Sequence, residues 1–90
     1  MTSTEVARMK ESLRNLEARQ SGLRSNVDDY QREISKLEQE RRGASAHHDA
    51  YLRQQDIDRK IAGRKRDVDN TKRELGRIEN EARNLRSALR

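Results

Sequence analysis

Glu40-Arg41-Arg42-Gly43-Ala44-Ser45-Ala46 separates two apolar repeats that cannot share one uninterrupted heptad frame. Upstream of it, Val6, Met9, Leu13, Leu16, Gln20, Leu23, Val27, Tyr30, Ile34 and Leu37 recur at alternating spacings of three and four, the pattern of a coiled-coil seam. Downstream, Gln54, Ile57, Ile61, Arg64, Val68, Thr71, Leu75, Ile78, Ala82 and Leu85 repeat in the same way, displaced by one residue from the first frame. A continuous rod would need a skip at this point, whereas a chain that reverses here needs none. Gly43 after Arg41 and Arg42 reads as a helix stop with positive charge on its last turn, and Thr2 three residues before Glu5 reads as a capping-box start.

The expected fold is therefore all-α, an antiparallel two-helix coiled-coil hairpin. Its first helix covers about residues 3–42 and its second about 46–89, with dimerisation left open. A turn at Gly43-Ala44-Ser45-Ala46 joins arms of about 40 residues, roughly 60 Å long at 1.5 Å per residue. Seam residues whose numbers add to 91 are paired in this reading: Leu37 with Gln54, Tyr30 with Ile61, Leu23 with Val68, Leu16 with Leu75 and Val6 with Leu85. The flanking charges favour the same topology. Glu40 with Arg53, Glu33 with Lys60, Arg19 with Glu74, Glu17 with Lys72 and Lys10 with Glu79 attract, and only Arg24 with Lys65 repels, whereas a parallel dimer of one long helix gives as many repulsions as attractions. Exposed pairs of this kind are worth roughly 0.3 to 0.5 kcal/mol each, so they select orientation more than they stabilise it.

Composition narrows the class. Ninety residues that are 41% charged, 30% hydrophobic and 2% aromatic, with no proline, are too polar for a globular core and too periodic for disorder. One domain spanning residues 1–90 is expected. The absence of cysteine removes disulfides and thiolate chemistry, and no apolar run approaches a membrane span or a signal-peptide core, so a cytoplasmic protein is expected, with leaderless export compatible.

Three features stand out against the heptads. Gln20 facing Thr71 forms a polar layer, which in coiled coils sets register at some cost in stability. Around the turn, His47, His48, Tyr51 and Leu52 form a candidate partner-binding tip. Tyr51 and Leu52 fall off the seam, and the histidines could make a grip sensitive to pH between about 5 and 7. Adjacent histidines point about 100° apart on a helix, and no second Cys or His pair completes a metal site. Finally, Arg59, Lys60, Arg64, Lys65, Arg66 and Arg73 make the second helix basic, with the arginines at 59, 66 and 73 on one outward line. Such a stripe could hold RNA or DNA, as in the helical arm of seryl-tRNA synthetase, which the chain resembles in shape. Without aromatic residues for base stacking, that binding would be sequence-blind and salt-dependent.

No P-loop, dinucleotide-binding glycine pattern or metalloprotease motif is present, so neither cofactor nor metal is expected. A helical hairpin also offers no water-poor pocket in which nucleophile, base and oxyanion donors could converge, so an enzyme and a small-molecule substrate are not expected. The expected role is a non-enzymatic protein–protein interaction module: an adaptor, scaffold or secretion and assembly helper that docks a helical protein, or a second copy of itself, along its helices or through its tip. The alternatives are a basic arm for nucleic acid and a purely structural self-assembler. In outline the hairpin resembles Rho-binding antiparallel fingers and the small helical hairpins of type VII secretion, although no tryptophan is available for the turn motif of the latter.

Overall fold

The structure, a computed structural model, describes residues 1–44 and 49–90. It is an all-α helical hairpin: α1 runs Ser3–Ala44 and α2 runs Ala50–Ala88, packed along their lengths into a rod of 70 × 15 × 14 Å. The Thr2 hydroxyl accepts a hydrogen bond from the Glu5 amide at 3.2 Å, which satisfies one of the free donors at the start of α1. At the far end, the Leu89 amide donates to the Leu85 carbonyl at 3.0 Å and closes α2.

The helix ends beside the turn depart from expectation, while Ser45 and Ala46 of the expected turn lie outside the described residues. Gly43 does not stop α1, and no described glycine has a positive φ. The helix continues to Ala44, which is 2% exposed and packs in a cluster with Ile57 and Ile61. Burying one more seam methyl extends the helix past a residue whose intrinsic preference is to end it. α2 begins at Ala50 behind Asp49, later than residue 46, and the Asp49 side chain makes no capping bond.

Seam residues are those the heptads name, but their partners differ. Leu23, Tyr30 and Ile34 pack on a core of Val27, Val68 and Leu75, while Ile34 and Leu37 pack on Ala44, Ile57 and Ile61. These groupings align Leu23 with Leu75, Tyr30 with Val68 and Leu37 with Ile61, pairs whose numbers add to 98. The helices have thus slid by one heptad, about 10.5 Å, from the expected pairing. Such a slide keeps every seam position facing inward, so the apolar pattern alone does not oppose it.

The ion pairs follow the slide. Arg19 pairs with Glu74 as expected, but Glu17 binds Arg86 and Arg24 binds Glu79, both at 3.3 Å, in place of the lysines at 72 and 65. Glu33 meets Arg64 at 3.0 Å rather than Lys60, which pairs with Asp56 on its own helix. Arg41 reaches Asp58 at 2.7 Å. The Gln20–Thr71 layer does not form: Gln20 is buried at the level of Ile78, and the Thr71 hydroxyl donates to the Asp67 carbonyl of its own helix at 2.7 Å. An intrahelical carbonyl satisfies the threonine locally, which removes any need for a polar residue opposite.

Candidate docking surfaces

At the turn end Ala44 packs with Ile57 and Ile61, and the first turn of α2, from Ala50, lies on the turn side of that contact. Tyr51 and Leu52 lie on this turn and are 71% and 66% exposed. The Gln55 amide donates to the Tyr51 hydroxyl at 2.8 Å, which ties the ring to the next turn of the helix. Two large apolar groups are thereby exposed at consecutive positions of one helical turn, about 100° apart around its axis. His47 and His48, the other half of the expected tip, lie outside the described residues.

The expected basic stripe divides. Lys60 is drawn to Asp56 at 3.3 Å, and Arg64 turns inward, where it binds Glu33 and Asp67 and lies 5.7 Å from the Tyr30 ring centroid. A cation held by two carboxylates and an aromatic face is part of the seam's edge, not of an outer surface. Arg59, Lys65, Arg66 and Arg73 remain exposed, without an ion pair among the described residues. Lys72 joins them, one heptad beyond Lys65 on the same edge, and its omission from the expected stripe was avoidable because the spacing of seven is plain in the chain.

The acids on that edge are occupied. Asp58 is held by Arg41 and Glu79 by Arg24, both from α1. The Arg41 guanidinium has its pKa raised above the ordinary value, by the hydrogen bond to Asp58 first and by that carboxylate's charge second, so it stays protonated throughout. Between residues 59 and 73 the outer face of α2 therefore carries five cations and one carboxylate, Asp69, that make no ion pair among the described residues.

A third surface runs along α1. Leu13, Leu16, Leu23 and Leu37 are half-buried, so one flank of each remains wet. Among the described residues no group of three or more His, Cys, Asp or Glu could hold a metal ion, and no described helix is long and apolar enough to cross a membrane. Compared with known proteins, the chain matches no family model, no curated protein and no solved structure.

Proposed function

We propose that this hairpin is a non-enzymatic docking module, an adaptor or scaffold that engages another protein through its turn end. The observation that carries the reading is the pair Tyr51 and Leu52, exposed together on the first turn of α2. Isolated apolar residues on a surface are ordinary. Two adjacent ones on the first turn of α2 supply the apolar anchor on which an interface depends. The rest of the rod serves as a stiff spacer that sets this anchor roughly 60 Å from the termini.

A photo-reactive amino acid at Leu52, introduced in cells that make the protein, should give a discrete heavier adduct with another protein. That adduct should disappear when Tyr51→Ser is added, with helicity by circular dichroism unchanged. Adducts formed equally well from Ala18, an exposed position on α1, or no protein adduct from Leu52, would overturn the proposal.

A second reading is favoured by the half-buried leucines of α1, which a further copy of the chain could cover to make a bundle. Sedimentation would then show a concentration-dependent oligomer that Leu16→Glu reduces to monomer.

A further inference from the structure

We propose that the outer face of α2 between Arg59 and Arg73 receives an α-helical partner that carries carboxylates at seven-residue spacing. Arg59, Arg66 and Arg73 form one row and Lys65 and Lys72 a second, parallel row, each stepping about 10.5 Å along a straight helix. All five side chains are exposed and lack an ion pair among the described residues, while Asp58 and Glu79, the acids that would have neutralised the edge, are taken by Arg41 and Arg24. The fold thus removes the local counter-charges and leaves two cationic rows facing outward.

The step selects the partner. An α-helix with Glu or Asp at positions seven apart repeats at the same 10.5 Å, and when it lies nearly parallel to α2 its carboxylates stay level with the cations over three repeats. A nucleic-acid strand does not stay level. Its phosphates advance 3.4 Å along the duplex axis, and over the 21 Å from Arg59 to Arg73 the strand winds more than half a turn around the duplex, away from a straight row. No aromatic residue lies on this face to stack on a base, the other means of holding a strand. A second copy of this chain is also a poor match: the outward positions of α1 at the same spacing mix Arg14, Arg32 and Arg42 with Glu11 and Asp28, and of the carboxylates seven apart on α2, Asp67, Glu74 and Glu81, the first two are held by Arg64 and Arg19. The partner belongs to the same docking role as the exposed tip and engages the side of the rod rather than its end.

The test uses the full chain, isotopically labelled for nuclear magnetic resonance, and three probes. One is an alanine-based helical peptide with Glu at seven-residue intervals in two adjacent rows, the second has the same composition with the Glu positions scrambled, and the third is a duplex DNA of twenty base pairs. The heptad peptide should shift amide signals confined to residues 59–73 and bind about tenfold more tightly than the scrambled one at low salt, with that affinity falling as salt shortens the Debye length. The triple variant Arg59→Glu, Arg66→Glu, Arg73→Glu should lose the binding at unchanged helicity, and Asp69→Asn should strengthen it about threefold. Equal binding of both peptides, tighter binding of the DNA, or shifts outside this face would each overturn the proposal. An intact Leu52 adduct in cells alongside failed peptide binding would overturn the acidic helix alone and leave the docking module standing.

Discussion

The two helices bring matched seams to the same interface and bury them unequally. α1 buries Gln20, Val27 and Ala44, whereas α2 buries Ile57, Ile61, Val68, Leu75, Ile78 and Ala82. Side-chain shape accounts for part of the difference. The seam of α2 is dominated by β-branched and small residues, whose bulk stays near the helix axis and is roofed by the other helix. The seam of α1 is rich in Leu, Met and Tyr, which reach across as that roof and keep an outer flank in water. Within α1 the buried apolar residues are again short, Val27 and Ala44, and within α2 the long members Gln54, Arg64 and Leu85 are half-buried, but Leu75 and Gln20 are long and buried, and Val6, Ile34 and Thr71 are β-branched and half-buried. A two-helix interface therefore has a floor and a lid, and the lid is the face available to something else.

Substitutions can break this contrast. Ile61→Ala removes a floor residue and should lower stability by about 2 to 4 kcal/mol in denaturant unfolding. Leu16→Ala removes a residue of the lid that is already half wet, and a loss of about 1 to 2 kcal/mol is expected. Equal losses at the two sites would show the asymmetry to be of no energetic consequence. Gly63→Ala should act in the opposite direction, raising stability by about 1 kcal/mol, because a methyl there meets nothing within 4 Å and a helix interior favours alanine. Gly43→Ala should also stabilise, since Gly43 is helical; a destabilised variant would restore the helix stop that its neighbours suggest. The smallest effect is expected for the exposed pair Arg19 and Glu74, whose coupling in a double-mutant cycle should be about 0.5 kcal/mol.

The slide between the helices can be sharpened by a separate measurement. The chain has no cysteine, so engineered thiols are unique. A short bifunctional reagent should join Cys introduced at Leu23 and Leu75 more readily than Cys at Leu16 and Leu75, and the reverse preference would return the helices to the other register.

Much of the site was legible in the same partial way. Tyr51 and Leu52 could be recognised as apolar residues off the seam, because helical periodicity alone assigns them outward. The extent of their exposure could not, because it depends on what the tertiary structure packs around them. Lys60 and Arg64 belonged to a basic run on paper. Their neutralisation by Asp56, and by Glu33 and Asp67, required knowing which acids come within reach.

By itself the sequence determined that two amphipathic helices fold back on one another and which residue of every turn faces the seam, since both follow from a spacing that local geometry converts directly into direction. Tertiary structure decided the register, and with it the ion pairs and the occupied acids. The physical reason is a degeneracy: sliding one helix past the other by seven residues leaves every apolar side chain facing inward. The choice between such states rests on the fit of particular side chains and the reach of particular charges across the interface.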